Sequence, residues 1–152
     1  MYKAKKDDLE KIISTYLDAF RDYPKLSYIF PKEEDRLAAL EATLRYYVSF
    51  DLHYGTAIST DDKLNDAVLF LRSEDAVYTA ERHQKAGSYS EKYKNALSRL
   101  TISQCEDREA LFDELDELEE SLDIPKPHLY VDFLGVGSKY QGQGRGHRLM
   151  NW

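Results

Sequence analysis

The sequence predicts an α/β fold of the α+β type, and three features indicate it. Apolar residues recur at helical spacing in two early segments, 9–20 and 37–52. Two β-rich segments, 56–60 and 67–71, flank a polar turn and predict a hairpin. An apolar run from His128 to Val136 then leads into a glycine-rich turn. Helices and strands are therefore expected to share one core, in a single domain over residues 1–152.

The N-terminal half is predicted to contain a short strand, two helices and the hairpin. Tyr2 to Ala4 is the short strand, and it precedes the first amphipathic helix. The segment from Asp22 to Pro31 contains two prolines and is expected to be an aromatic-rich loop. The second helix should end near Gly55, because glycine suits a helix C-terminus. The strand at 67–71 is apolar throughout, so we expect it at the centre of the sheet.

The segment from Ser73 to Ser121 is predicted to be helical and strongly acidic. Leucines at 111, 115, 118 and 122 fall on one side of a helix that stops before Pro125. Such spacing is typical of a solvated helix that buries one apolar stripe. A surface that binds a protein partner is the alternative.

The overall charge limits the classes of partner. The chain has 152 residues, a net charge of -7 and a pI near 5.1. Broad affinity for nucleic acid or for an anionic membrane depends on a surplus of Lys and Arg, so we expect neither partner. No apolar run approaches the length of a membrane span.

Cysteine usage and the N-terminal composition predict a cytoplasmic location. Cys105 is the single cysteine, which excludes an intramolecular disulfide and suits a reducing compartment. The residues from Met1 to Asp8 become charged without an apolar stretch, unlike a signal peptide.

The glycine-rich turn after the last strand suits an anion. Gly142, Gly144 and Gly146 stand at alternate positions where a strand gives way to a helix. Glycines allow close backbone approach, and the N–H groups of a new helix attract phosphate. The alternative is a flexible tail beyond the last strand.

Sequence motifs around this turn carry a more specific resemblance. Leu134-Gly135-Val136 is followed by Gln141-x-x-Gly144-x-Gly146 and by the apolar pair Leu149-Met150. This pattern resembles the acetyl-CoA signature of the GNAT N-acetyltransferase superfamily. A Walker loop or a dinucleotide fingerprint would need other glycine and lysine spacings, which the segment lacks.

The resemblance implies a GNAT-like fold, with a mixed, mainly antiparallel sheet flanked by helices and truncated after the fourth strand. It implies transfer of acetyl from acetyl-CoA to an amine, on a small molecule or a peptide. The alternative is a non-catalytic module that binds coenzyme A or a protein. The implied cofactor-binding residues are Leu134, Gly135, Val136, Gln141, Gly142, Gln143, Gly144, Arg145 and Gly146.

The resemblance also suggests how the acceptor amine is handled. Asp132 is the carboxylate on the cofactor strand and is the candidate catalytic base, with a surface-facing strand residue as the alternative. Tyr23, Tyr28 and Phe30 resemble the aromatic wall of the acceptor site, although most tyrosines simply pack at half-buried positions. The four histidines share no metal-ligand spacing, so no metal site is expected.

The sequence ends at Asn151-Trp152, one or two turns into the helix that follows the glycine-rich turn. Members of the GNAT superfamily, which the segment resembles, continue with a further strand, and the tyrosine that acts as general acid lies in that later part. We therefore expect weak or absent turnover, and a sheet edge exposed on the cofactor strand.

An exposed edge pairs readily with another chain, so the sequence predicts a homo-oligomer. Light scattering at micromolar concentration should give a mass above that of one chain. A mass equal to one chain would contradict the prediction.

Overall fold

Strands and helices follow one another largely as predicted. The structure is a computed structural model, and it describes residues 1–151 apart from the side chains of Asp116, Glu119 and Glu120. The strands are β1 (Tyr2–Lys3), β2 (Thr56–Ser59), β3 (Asp66–Arg72) and β4 (Leu129–Val136). The helices are α1 (Leu9–Ala19), α2 (Pro24–Ile29), α3 (Glu33–Tyr54), α4 (Ala80–Ala86), α5 (Glu91–Leu97), α6 (Ile102–Glu120) and α7 (Arg145–Met150). This combination of helices with an antiparallel sheet confirms the predicted α+β class.

The four strands form one sheet in the order β1-β2-β3-β4, and each neighbouring pair is antiparallel. The predicted hairpin of β2 and β3 is confirmed, with Ile58 opposite Val68. Asp66 closes the turn, because its carboxylate accepts hydrogen bonds from the Thr60 backbone N–H at 2.7 Å and the Ser59 hydroxyl at 3.1 Å. Strand β3 lies between β2 and β4, as its apolar sequence predicts.

Helices cover both faces of this sheet. On one face, α1 and α3 pack against the strands in the main core, which contains Tyr16 and Leu69. On the other face, α7 places Leu149 against Ile58 and Val68. Val68 and Leu69 are consecutive and face opposite sides, as the period of two in a strand requires. Burial on both faces explains why β3 is apolar along its length.

Strand β4 contains a β-bulge at Asp132. The register skips this residue, because Leu69 lies opposite Phe133 and the next residue, Phe70, lies opposite Val131. A bulge adds a residue to one strand and redirects the side chains beside it. Here it turns Asp132 towards the face covered by α1 and α3, where Phe133 also packs.

The prediction of a loop over residues 22–31 is wrong, because α2 occupies most of the segment. Pro24 lies in the first turn of α2, where the missing N–H has no helical partner to lose. Phe30 directly follows α2 and is buried in the main core. The flanking helices are confirmed, and α3 ends at Tyr54 with Gly55 as its C-cap residue.

The segment between β3 and β4 folds into three helices, α4 to α6. The leucine stripe of α6 is buried over part of its length: Leu111 is buried, whereas Leu118 is 59% exposed and Leu122 is 54% exposed. The stripe thus joins the core at one end and stays open at the other. No helix in the described part of the chain is long and apolar enough to cross a membrane.

Gly135 of β4 lies against the ring of Tyr16, and a substitution at Gly135 tests how β4 packs there. A Cβ atom at position 135 would lie 2.6 Å from Cδ1 of Tyr16, which is wholly buried. We expect Gly135→Ala to lower the free energy of unfolding by about 1–3 kcal/mol through overpacking. Gly146→Ala is the control, because the atoms nearest to its added Cβ are 3.6 and 3.9 Å away. Urea denaturation compares the two variants, and equal stabilities would contradict this account.

Candidate functional site

A cavity of about 340 Å³ opens between the helices and β4. Its walls are mainly aromatic and aliphatic, and they include Phe20, Tyr47 and Phe133. Among the residues that the structure describes, Asp132 supplies the single carboxylate that lines this cavity. The half-buried Asp132 therefore faces the interior, and the surface-facing alternative does not describe it.

Asp132 lies next to a second carboxyl group, that of Asp51 in α3. Asp51 is 0% exposed, and no other described group donates a hydrogen bond to its oxygens. Burial raises the pKa of Asp51 well above its ordinary value, and the charge of Asp132 and a hydrogen bond with Asp132 raise it further. Two carboxylates this close do not both ionise readily, so the pair shares a proton. The raised pKa of Asp51 favours Asp51 as the holder of this proton.

Two phenol groups lie near the carboxyl pair. Burial, followed by the charges of Asp51 and Asp132, raises the pKa of Tyr16 well above its ordinary value. Tyr16 donates its hydroxyl to the carbonyl oxygen of Ala67 at 3.0 Å. Burial, followed by the same two charges, also raises the pKa of Tyr78, which lines the cavity. Both phenols stay protonated at neutral pH, so they add hydrogen-bonding groups without adding charge.

The glycine-rich turn after β4 forms an ordered bend that leads into α7. Gly142 and Gly144 have φ angles of 72° and 73°, in the left-handed region that favours glycine. Nε2 of Gln143 donates to the carbonyl oxygen of Lys139 at 3.1 Å and holds the bend. In the described part of the chain, the backbone N–H groups of residues 142–147 donate no hydrogen bond. Such a run of N–H groups beside a glycine turn can bind an anion.

The predicted cofactor strand, β4, is one of the two outer strands of the sheet. Leu134 packs against the cluster under α7, and Gly135 faces the ring of Tyr16. The carbonyl oxygen of Val136 accepts a hydrogen bond from Nε2 of Gln141 at 3.0 Å. These contacts join the end of β4 to the start of the turn.

The guanidinium of Arg145 is held by carboxylates of the β2–β3 turn. Its Nη1 atom lies 2.8 Å from a carboxylate oxygen of both Asp61 and Asp66, and 2.9 Å from Oγ1 of Thr60. The hydrogen bonds to Asp61 and Asp66 raise the pKa of Arg145. Burial acts to raise the pKa of Asp66, but hydrogen bonds from Thr60 and Arg145 lower it overall. The side chain thus anchors α7 to the hairpin, and a role for Arg145 at a cofactor depends on its backbone N–H.

The three predicted wall residues of the acceptor site do not lie together. Tyr23 lines the cavity that contains Asp132, but Tyr28 and Phe30 do not. Tyr28 is 89% exposed, and Phe30 is buried in the core. They separate because α2 replaces the predicted loop and its turns point successive side chains in different directions.

Sequence reasoning missed Asp51, Tyr47 and Tyr78. The pattern of α3 did contain a signal for Asp51, because Leu44, Val48 and Asp51 follow one another at helical spacing on the buried side. A carboxyl group on a buried helical face must be paired or shifted in pKa. Tyr78 precedes α4 in an irregular segment, where no periodicity marks it.

No model of a known protein family and no curated protein sequence matches the chain. The geometry of the described residues therefore carries the functional inference. Among the residues that the structure describes, no group of three or more His, Cys, Asp or Glu side chains could hold a metal ion.

The raised pKa of Asp51 predicts a pH-dependent stability. Because the folded state holds the proton more tightly than the unfolded state, the contribution of Asp51 to stability falls as pH rises above about 4. Asp51→Asn removes this titration. Relative to wild type, its free energy of unfolding should rise with pH by up to about 1.4 kcal/mol per pH unit.

Urea denaturation between pH 5 and 8 measures this difference. Asp62→Asn, at an exposed turn residue, is the control and should parallel wild type. A wild-type curve that also parallels Asp51→Asn would show that the proton is not held at Asp51.

Proposed function

We propose that this protein is an acetyl-CoA-dependent N-acetyltransferase. The observation that carries the proposal is the turn between β4 and α7, where the backbone N–H groups of residues 142–147 donate no hydrogen bond among the described residues. Left-handed glycines at 142 and 144 leave open space beside them. The turn thus fits the pyrophosphate of coenzyme A, in agreement with the sequence resemblance to the GNAT superfamily.

The outer edge of β4 connects this turn to the cavity. Within the described residues, β4 pairs with β3 on one side and its other edge is open. The strand runs about 13 Å from Asp132 to Val136. Backbone groups of Leu134, Gly135 and Val136 would hold the pantetheine arm along this edge. The reacting end would then lie at the cavity that Asp132 lines.

The carboxyl pair supplies a proton acceptor at that position. Acetyl-CoA supplies an acetyl group activated as a thioester. Asp132 accepts the proton that the amine loses as the C–N bond forms, and this proton balances the thiolate released when the C–S bond breaks. Asp51 keeps its own proton and orients Asp132 by hydrogen bonding. Aromatic walls such as Tyr47 exclude water around a small or peptide amine.

Calorimetric titration with acetyl-CoA tests the proposal. We expect saturable binding to wild type and its loss in Gly144→Asp, because a carboxylate would stand beside the pyrophosphate. Gly87→Asp is a matched control, since Gly87 also has a left-handed φ, of 81°, and open space around it. Gly87 caps α4.

The control should therefore bear the same backbone strain and still bind acetyl-CoA. Absence of binding in folded wild type, or equal binding by both variants, would overturn the proposed cofactor site.

A non-catalytic binding module is the second candidate, because apolar side chains are exposed between α6 and β4. The exposed residues are Leu118, Leu122, Ile124, Leu129 and Val131. Large apolar side chains exposed in one part of the chain are a feature of proteins that bind a protein partner. Release of free thiol from acetyl-CoA with a panel of amines separates the two: turnover supports the enzyme, and binding without turnover supports the module.

The proposal includes self-association and a cytoplasmic location. The first half of the open edge of β4, apart from Leu134 to Val136, offers backbone groups to a second copy, and Leu129 and Val131 there are 63% and 42% exposed. A single cysteine suits a reducing compartment.

A further inference from the structure

A second cavity, of about 330 Å³, is lined by tyrosines and shares Tyr47, Tyr78 and Phe112 with the first. Its aromatic walls come from α3, the segments around α4 and α5, and α6. The tyrosines are Tyr46, Tyr47, Tyr78, Tyr89 and Tyr93. The cavity also contains one arginine, Arg108 of α6.

Arg108 is a buried cation that lines this cavity. The residue is 5% exposed. Its Nε–H donates to Oγ1 of Thr43 at 2.9 Å, and the Thr43 hydroxyl donates onward to the carbonyl oxygen of Ala39 at 2.9 Å. The guanidinium also lies 5.5 Å from the ring centre of Phe112. Among the side chains that the structure describes, no carboxylate lies within 4.0 Å of it.

The contact with Thr43 uses Nε of Arg108, so with respect to the described residues both terminal nitrogens of the guanidinium remain available to a ligand. A buried charge without a counter-ion is costly, and a guanidinium edge matches a carboxylate in geometry. The other wall groups do not supply the missing negative charge inside the cavity. Glu109 and Asp113 line its rim and are exposed to solvent.

His83 adds polarity to the wall but no charge. Burial lowers the pKa of His83 to about 4, so the imidazole is neutral at pH 7. The Ser88 hydroxyl donates to the carbonyl oxygen of Tyr46 at 2.7 Å and therefore accepts from Nδ1–H of His83 at 3.0 Å. Arg108 is then the single cation among the described residues that line this cavity.

We propose that the tyrosine-lined cavity binds a small organic monocarboxylate through Arg108. One guanidinium neutralises one negative charge, and the tyrosine rings accommodate an apolar or aromatic body with hydroxyl groups for its polar atoms. A phosphate dianion fits less well, because its second charge would meet no second cation and would lie near Glu109 and Asp113. The site is separate from the proposed coenzyme A turn.

Calorimetric titration with sodium benzoate tests the site, with benzamide as a neutral probe of the same shape and phenyl phosphate as the dianion. We expect saturable benzoate binding, no saturable benzamide binding, and weaker binding of phenyl phosphate. Arg108→Met should weaken benzoate binding by about tenfold or more. Arg72→Met, at a residue whose side chain is 73% exposed, is the control and should bind as wild type does.

A nuclear magnetic resonance titration of wild type provides a second readout. The Nε–H signal of Arg108 should shift with benzoate and not with benzamide, which keeps the test valid even if Arg108→Met does not fold. Benzoate binding should also persist in Gly144→Asp. Equal binding of benzoate and benzamide, tighter binding of phenyl phosphate, or unchanged affinity in folded Arg108→Met would overturn the proposal.

Discussion

Strand β4 pairs with β3 across an insert of three helices, and this long-range pairing positions each part of the candidate site. Tyr16 of α1 reinforces it, because its hydroxyl donates to Ala67 of β3 at 3.0 Å and lies 3.5 Å from the carbonyl oxygen of Phe133 in β4. With β4 in this register, the bulge directs Asp132 into the cavity. The end of the same strand starts the glycine-rich turn.

Two of the buried ionisable groups, Asp51 and Arg108, avoid the cost of burial in different ways. Burial and Asp132 raise the pKa of Asp51, which favours its neutral form. Arg108 cannot lose its proton, so it is held by Thr43 and Phe112 and faces the polar cavity. Asp51 belongs to α3 and Arg108 contacts it through Thr43, and Tyr47 of the same helix lines both cavities. Residues that conflict with simple burial rules in this way are where ligand sites are expected.

Local patterns predicted much of the fold correctly. The hairpin, β4, and the end of α3 at Gly55 follow from period, β-rich composition and glycine chemistry. The prediction of a loop over residues 22–31 was wrong, because a proline in the first turn of a helix does not interrupt the helix. The predicted burial of the leucine stripe of α6 is correct for part of its length. The spacing of the leucines defines an apolar side of the helix but does not determine how much of that side a neighbouring element covers.

The sequence by itself determined the order of the strands, the position of the glycine-rich turn, and Asp132 as the carboxylate of its strand. Tertiary structure alone decided that Asp51 lies beside Asp132, that the charge of Arg145 serves the hairpin turn, and that Arg108 faces a cavity. The reason is physical. Backbone conformation depends on neighbouring residues, whereas contacts between distant side chains depend on how helices pack on the sheet, and a one-residue bulge is enough to redirect them.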